Sequence, residues 1–592
     1  MFQCLSSAWI HKTDSWDLHQ DSSLKYGFLT FFVLAFLCYF LIVGIMPVRN
    51  TMEARNFKTA EEILESNEWL LPTLNNELRI LKPPLPTWCV AGIIYITNCY
   101  RNLWVMRFPN LCVAFLLIFF VWLFVKELFN TRTAFFATMM IATTITFWGD
   151  IFVARWDMFA CSFGMGGLYF LANVFKYHKV KYVVGAIFCY ALSYLSKGPA
   201  VLLSIIASFY ISFFIFLLWN HFFPSDLLKS WCEKYRKYCP HSIKAWILFI
   251  GIIFIALIIG NSWWLFIKFN EPEAWKQIFS DLESLGIKHS EPFYYYLLLS
   301  TGYIGIWSLF LLISYALPIA FIFKKYRIKL CHDNFLSFLF TWTWFLIGIL
   351  FISFISAKKN RYFLIILPIC IIMTANCCEY LLTCLQRKEK WSLYLIAIQK
   401  LALVLAFSCC GVAIIVGLFL GTSFWSLLAI PCCLLLAFFM YKGHVSVSKV
   451  IAETAFGALF VIVVVFFILQ SAGVFYDRYP GAYEVTKLTG DQKLYIFGEH
   501  DDKVLWAIGR EAIFVTDDSE KNSDSETLPD EETFPDDEPY FLLVPNEFEA
   551  KLWETQNKED YKEIYTFYEV KTHEKNLWTL YNVHGAKILL QQ

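Results

Sequence analysis

The sequence predicts a polytopic α-helical membrane protein of about thirteen transmembrane helices with a small C-terminal α/β domain. Hydrophobic residues make up 58% and aromatic residues 19% of the 592 positions, which is more apolar surface than one soluble core hides. Apolar runs of about 20 residues, the length that crosses a bilayer, recur along the chain. The composition becomes soluble near residue 476.

Thirteen runs are long and apolar enough to span a membrane. They lie near 27–46, 108–126, 133–149, 158–175, 182–196, 199–219, 246–267, 297–322, 335–355, 363–385, 393–420, 424–440 and 450–473. A fourteenth candidate, 85–100, follows Pro83 and Pro84 and is interrupted by Thr97 and Asn98. We expect that segment to lie in the membrane interface rather than to cross.

Charge asymmetry gives the orientation, because short cytoplasmic loops collect Lys and Arg. With 85–100 uncounted, the basic loops fall on one side, at 176–181, 229–244, 324–329, 387–390 and 442–449. The N-terminus is then cytoplasmic. The same parity places 47–107, 268–296, 356–362 and the C-terminal domain on the extracytoplasmic side.

Two domains are predicted: a transmembrane domain, 1–475, with a first outer loop at 47–107, and an extracytoplasmic domain, 476–592. The second contains strand-like segments at 493–497, 512–515 and 540–544 and a helix-like segment at 503–510. Residues 517–538 carry eleven acidic residues against one lysine. We interpret them as a solvated loop, with cation binding as the alternative.

Overall charge excludes little, but it offers no argument for nucleic acid as a partner, since Lys and Arg balance Asp and Glu at 49 each. Most of the 18 cysteines lie in apolar runs, where cysteine behaves as a small buried hydrophobe.

The predicted outer face gathers a set of ionisable residues that a membrane protein keeps there for function. They are Glu53, Arg55, Lys82, Asp157, Lys197, His289, Glu291, Lys358, Lys359 and Arg361. Several cations with a few carboxylates suit a phosphate-bearing substrate and a group transfer, because Lys and Arg neutralise phosphate and a carboxylate acts as a base. For an isolated lysine, an interfacial anchor is the alternative.

Several of these motifs resemble, in order along the chain, those of the lipid A aminoarabinose transferase family. The resembling segments are Glu53-Ala54-Arg55 to Pro72, Leu74 to Lys82-Pro83-Pro84, Ala154-Arg155-Trp156-Asp157, Leu195 to Pro199, His289 to Tyr295 and Lys358 to Tyr362. The family belongs to the polyprenyl-phosphate-dependent, C-type membrane glycosyltransferases (GT-C), which include the protein O-mannosyltransferases.

The resemblance implies an inverting hexosyl or pentosyl transfer from a polyprenyl-phosphate sugar to a lipid A-like or glycan acceptor, at the outer face of a bacterial inner membrane. It implies catalytic roles for Glu53 and Asp157. The substrate-binding residues it implies are Arg55, Lys82, Lys197, His289, Lys358, Lys359, Arg361 and Tyr362. For Lys197 the alternative is a cation that stabilises a helix C-terminus. The expected partners are the lipid-linked donor, its lipid or glycan acceptor and membrane lipids, and no further cofactor is expected.

Two positions depart from the family pattern. Met52 stands where the first-loop signature has Asp, and Leu81 stands where it has Glu. The second change removes a carboxylate that lies with a loop histidine at a metal in some relatives, and His289 alone is a poor metal site, so we do not expect a divalent metal.

The Met52 departure leaves four explanations open. The acceptor is an anion that needs no base, Glu53 has taken over, Asp157 suffices, or activity has been lost. A transporter of lipid-linked saccharides is the alternative from another class. Transporters place ionisable residues near the midplane within internal repeats, which this sequence does not suggest.

Overall fold

The computed structural model describes residues 21–276, 291–322, 333–354, 358–386, 447–471, 477–498, 501–515, 539–556, 558–570 and 575–583, with isolated positions between them. By its internal contacts the chain divides into two compact units. The first comprises Met1–Gly44, Arg107–Asn270 and Leu282–Val474. The second comprises Ile45–Met106 and Phe475–Gln592, with a short segment that begins at Glu271.

The first unit is helical throughout its described part. Its helices are α1 Asp21–Ile42, α4 Leu103–Leu128, α5 Thr131–Ala142, α6 Ile145–Ile151, α7 Trp156–Tyr177, α8 Val180–Lys197, α9 Ser208–Phe222, α10 Asp226–Arg236, α11 Ile243–Gly260, α12 Ser262–Asn270, α13 Tyr295–Tyr303, α14 Ser308–Ile322, α15 Asp333–Ser353, α16 Phe363–Gln386 and α17 Val447–Ser471. A π-helix, Leu202–Ala207, leads into α9, and short 3-10 turns, Gly305–Trp307 and Asn360–Tyr362, lead into α14 and α16.

Within these described ranges, eight helices are long and apolar enough to cross a membrane. They are Leu24–Ile42, Leu103–Leu128, Trp156–Tyr177, Leu202–Phe222, Ile243–Gly260, Asn334–Ser353, Asn360–Leu385 and Val447–Phe467. The pair α5 and α6, bent by 57°, and the pair α13 and α14, bent by 105°, raise the number to ten if each pair is one span. The polytopic helical fold is therefore confirmed.

The count of thirteen stays a prediction. The expected span 182–196 corresponds to α8, whose tyrosines, serines and two lysines make it less apolar than the eight. The expected spans 393–420 and 424–440 lie outside the described residues, apart from isolated positions.

Buried polar side chains form hydrogen bonds next to the helix breaks in the first unit. The amide of Asn110 on α4 donates to the carbonyls of Asp150 and Ile151, at 2.8 and 3.1 Å, where α6 ends. The indole of Trp307 donates to the hydroxyl of Thr143, at 3.0 Å, beside the break between α5 and α6. Backbone groups freed at a helix break need such partners in an apolar environment. These contacts hold the chain that leads into α7.

The second unit combines two helices of the first loop, α2 Thr51–Ser66 and α3 Leu85–Thr97, with the C-terminal sheet. The short hairpin β1 Thr73–Leu74 and β2 Glu77–Leu78 lies between α2 and α3. Helix α3 has 13 residues, about 20 Å at 1.5 Å per residue, which is short of a hydrocarbon core of about 30 Å.

The C-terminal domain is a five-stranded mixed sheet with helices on both faces. Its elements are α18 Tyr483–Thr489, β3 Leu494–Phe497, α19 Asp502–Ile508, β4 Ile513–Val515, β5 Tyr540–Pro545, α20 Asn546–Thr555, β6 Tyr561–Val570 and β7 Lys575–Val583. The strand order is β4-β3-β5-β7-β6, with β3 parallel to β4 and β5, and β7 antiparallel to β5 and β6. The expected acidic loop at 517–538 lies outside the described residues, apart from Phe534.

Alternation along the central strands explains the two cores of that domain, since successive side chains of a strand point to opposite faces. Ile496 and Leu543 pack with α19 on one face, and Tyr495 and Leu542 pack with Leu552 of α20 on the other. The small α/β domain predicted from the sequence is confirmed as a fold.

Candidate functional site

A group of charged side chains, with buried carboxylates and half-buried cations, lies where α6 ends, α7 begins and α8 ends. We call Asp150, Arg155, Asp157, Lys197, Arg361 and Tyr362 the Asp157 cluster. Asp157 is in the first turn of α7, where the positive end of the helix dipole favours a carboxylate. Lys197 is the last residue of α8, where the negative end favours a cation. The two helix ends thus place opposite charges beside each other.

Asp157 and Lys197 form an ion pair through Oδ1 and Nζ, and the carboxylate is almost fully buried. The Lys197 ammonium also lies over the ring of Tyr362, with Nζ 4.0 Å from the ring centroid. A desolvated cation over an aromatic face gains roughly 2 kcal/mol. The lysine therefore has two partners that fix its position.

Arg361 also lies near the ring of Tyr362, with its guanidinium carbon 5.6 Å from the ring centroid. It lies within electrostatic range of both Asp157 and Lys197. The 3-10 turn Asn360–Tyr362 brings Arg361 and Tyr362 to the start of α16. Nearby, the hydroxyl of Tyr295 on α13 donates to Asn360.

Asp150 and Arg155 form a second ion pair of the cluster, again with the carboxylate buried. Neither residue was among the site residues predicted from the sequence. Arg155 was within the motif that ends at Asp157, but Asp150 closes an apolar run and no local pattern marks it. Only the bend after α6 brings it to the start of α7.

Two guanidinium groups of the cluster have unused donors. Among the described residues, none accepts a hydrogen bond from the buried Nε of Arg155 or from that of Arg361. A buried donor without a partner loses about 1 to 3 kcal/mol relative to a satisfied one. The cluster also has three cations against two carboxylates. Both features fit an anionic ligand that accepts from these arginines.

The remaining predicted residues of the first unit have less defined surroundings. Lys358 and Lys359 are half-buried, and the carbonyl of Lys359 accepts from the hydroxyl of Tyr296 at 3.4 Å. His289 lies outside the described residues.

The second unit holds the predicted residues Glu53, Arg55 and Lys82. Glu53 is 1% exposed in the first turn of α2, and Lys82 is half-buried just before α3. Arg55 donates from Nε to Asp502 Oδ2 at 2.6 Å, so the structure gives this predicted phosphate ligand a carboxylate partner within the protein.

Within the described ranges no three His, Cys, Asp or Glu side chains group as metal ligands would, and the expectation that no divalent metal is needed stays a prediction. The residue before Lys82 is Leu81, which has no donor atom for a metal.

The helical fold with a small C-terminal α/β domain matches the fold of a C-type membrane glycosyltransferase. Two solved structures establish this fold: ArnT from Cupriavidus metallidurans bound to undecaprenyl phosphate, with a TM-score of 0.64 and 14% identity over 94% of this chain and 98% of that chain, and the same protein in the apo state, with a TM-score of 0.65 and 15% identity over 95% and 99%.

Sequence comparison adds a family match over part of the chain. Residues 81–235 match the PMT_2 family, described as dolichyl-phosphate-mannose-protein mannosyltransferase. The matched segment contains Lys82, Asp157 and Lys197. No curated protein sequence matches the chain. The resemblance to the lipid A aminoarabinose transferases and the protein O-mannosyltransferases is thus confirmed, in fold over most of the chain and in sequence over residues 81–235.

Proposed function

We propose that the chain is a glycosyltransferase that moves a sugar from a polyprenyl-phosphate donor to a lipid or glycan acceptor at the outer face of the bacterial cytoplasmic membrane. The observation that supports this most is the pair of buried Nε donors on Arg155 and Arg361, which with Lys197 lie around Asp157. An ArnT of the same fold has been solved with undecaprenyl phosphate bound.

In this proposal the Asp157 cluster binds the donor phosphate. The bond between the anomeric carbon and the phosphate oxygen breaks, and a bond from that carbon to an acceptor oxygen forms on the opposite face, which inverts the configuration. Polyprenyl phosphate leaves with the bonding electron pair. Lys197 and Arg361 stabilise the growing negative charge on the leaving phosphate, which is where fixed cations contribute most.

The acceptor decides what the carboxylates do. A hydroxyl acceptor must lose a proton, and Asp157 or Glu53 would take it. A phosphate acceptor is already an anion and mainly needs to be positioned. Asp157, held by Lys197, is the carboxylate for which the cluster provides a defined position. Lys82, Lys358, Lys359 and His289 keep the substrate-binding roles that the resemblance implies, as proposals.

The proposal is tested with purified full-length protein in proteoliposomes. Radiolabelled undecaprenyl-phosphate hexoses and pentoses serve as donors, and lipid A and membrane lipid extracts serve as acceptors. We expect label to appear in an acceptor and undecaprenyl phosphate to be released. Lys82→Ala and Arg361→Ala each remove a phosphate ligand and should lower turnover about ten-fold or more.

Other outcomes separate the alternatives. Label that crosses the bilayer without a new product indicates a transporter. Donor binding without any transfer indicates a catalytically silent protein. Mass spectrometry of lipid A and surface glycans from a deletion strain identifies the acceptor and, with it, the sugar.

A further inference from the structure

Within the second unit, hydrogen bonds and ion pairs connect the first loop to the C-terminal domain at three places. The strongest is the ion pair between Arg55 on α2 and Asp502, the first residue of α19, at 2.6 Å. Asp502 is 2% exposed, and its place in the first turn of α19 favours its negative charge. Next to this pair, the rings of Phe57 and Trp506 are 5.4 Å apart.

Arg101 forms the second of these contacts, near the end of the first loop. Its guanidinium donates to the carbonyl of Trp506 at 2.7 Å and lies over the rings of Trp506 and Tyr483, at 4.6 and 4.9 Å. Its Nε also lies 3.4 Å from a carboxylate oxygen of Glu61 on α2. A Cβ atom at Gly509 would be only 2.7 Å from the Arg101 guanidinium, so the glycine makes room for it.

Asn75, between β1 and β2, forms the third contact. Its side-chain amide donates to the carbonyl of Ala512 at 2.8 Å, and its side-chain carbonyl accepts from the Ala512 N–H at 3.0 Å. Reciprocal bonds of this kind fix both distance and orientation. Glu62 of α2 in turn accepts from the Asn75 N–H at 2.7 Å.

All three contacts involve residues of α2, which begins two residues before Glu53. Because Arg55 and Glu53 are two residues apart on the same helix, a shift of Arg55 moves Glu53 with it. Charge pairs and paired amides are costly to desolvate unless their geometry is well matched. A C-terminal domain with no role in positioning the first loop would not need them at this contact.

We propose that the C-terminal domain positions the first loop for the reaction, and that Arg55 is a positioning residue that acts through Asp502 rather than a ligand of the donor phosphate. This inference rests on the proposed glycosyl transfer. It gives the domain a task in turnover and reassigns one residue of the sequence prediction.

A double-mutant cycle tests the inference. Arg55→Gln, Asp502→Asn and the double variant are compared in the transfer assay. If Arg55 acts only through Asp502, each single variant loses about ten-fold in kcat at unchanged KM for the donor, and the double variant loses no more than the worse single one. Lys487→Ala, which breaks the exposed Glu484–Lys487 pair of the same domain, is the matched control and should keep parent activity.

Hydrogen exchange gives a readout that does not need turnover. We expect α2 amides to exchange at least about ten-fold faster in Asp502→Asn than in the parent and in Lys487→Ala. Multiplicative losses in the double variant, with a raised donor KM in Arg55→Gln alone, would show that Arg55 binds the donor and would overturn the inference.

The exchange result also separates this inference from the proposed function. If the parent transfers no sugar, the proposed function fails, yet faster α2 exchange in Asp502→Asn still supports the positioning role. Unchanged exchange in that variant overturns the inference whatever the activity.

Discussion

Asp157 and Lys197 are each other's ion-pair partner in the first unit. Asp157 is buried and Lys197 is half-buried, each at a helix end, and their ion pair keeps either charge from being left alone. Substituting one partner of a buried pair is costly because the other stays buried and uncompensated. The same pair also sets the charge that a donor phosphate meets.

Lys197→Ala is expected to lower both stability and turnover. Loss of the ammonium leaves Asp157 buried without its partner, which should reduce the free energy of unfolding by about 3 to 5 kcal/mol. The matched control is Lys176→Ala, which breaks the Lys176–Glu127 pair at the other end of α7. Thermal unfolding and transfer are measured for both. A Lys197→Ala protein as stable and active as the control would contradict the account.

Met52→Asp restores the residue that the family has at that position. Met52 is half-buried in the first turn of α2, where a carboxylate is favoured by the helix dipole, so the variant should fold. We expect turnover equal to or below that of the parent, because a new carboxylate beside an anionic acceptor adds repulsion. Rates at several pH values are compared. A large gain would show that a general base was missing and would exclude a phosphate acceptor.

How far the sequence predicts single residues depends on where their partners lie. The candidates Asp157, Lys197, Arg361 and Tyr362 came from motifs in a resembling order, and the structure brings these four together. By contrast, Asp502 lies 447 positions from Arg55, and no local pattern connects them. Long-range ion pairs of this kind follow from the fold, so the structure was needed to find this one.

Among the elements, α2 is unusual because it is polar in sequence yet buried along most of its length. Its buried residues include Glu53, Lys58, Glu61 and Glu62. Glu62 accepts from the Thr73 hydroxyl at 2.7 Å, and Lys58 lies 3.8 Å from it. Even with these partners, burial raises the pKa of Glu62 above its usual value.

A raised carboxyl pKa predicts the sign of a pH effect. In the window from the unfolded value of about 4.3 up to the raised value, folded Glu62 binds more protons than unfolded Glu62. Its contribution to stability therefore falls as pH rises through that window. Glu62→Gln should show a smaller loss of unfolding free energy between acidic and neutral pH than the parent. Melting temperatures across the window provide the check, and identical slopes would contradict the burial argument.

Elements were predictable where periodicity or length was strong. The strands near 494, 513 and 540 and the helix near 503 were expected and are present. The strands β6 and β7 and the helix α20 were not predicted, because their alternation is weak: β6 in particular has exposed and half-buried residues along most of its length. The bends between α5 and α6 and between α13 and α14 were read as continuous spans, since hydropathy does not register a change of direction.

At the scale of the whole molecule, the apolar runs and the soluble tail were enough to predict a polytopic protein with a small C-terminal α/β domain. The sequence did not predict that residues 45–106 group with the C-terminal domain into one unit. That grouping comes from scattered polar contacts between segments about 400 positions apart. A hydropathy pattern does not predict such long-range contacts.

The orientation remains a prediction with a direct test. Lys487→Cys on α18 and Lys181→Cys near the start of α8 both place a thiol at an exposed position. A membrane-impermeant maleimide applied to intact spheroplasts should label the first and spare the second, relative to the parent, because the loop charges place them on opposite sides. The reversed pattern would move the C-terminal domain to the cytoplasm.

The central claim, that the Asp157 cluster holds a polyprenyl phosphate, is tested most directly by binding. Purified parent, Arg361→Ala and the control Lys176→Ala are titrated with undecaprenyl phosphate in detergent, and Kd is measured. We expect saturable binding by the parent and the control, with a Kd about ten-fold or more higher in Arg361→Ala, since a charge-assisted hydrogen bond of about 1.5 to 3 kcal/mol is lost. Equal affinity in all three proteins would contradict the claim.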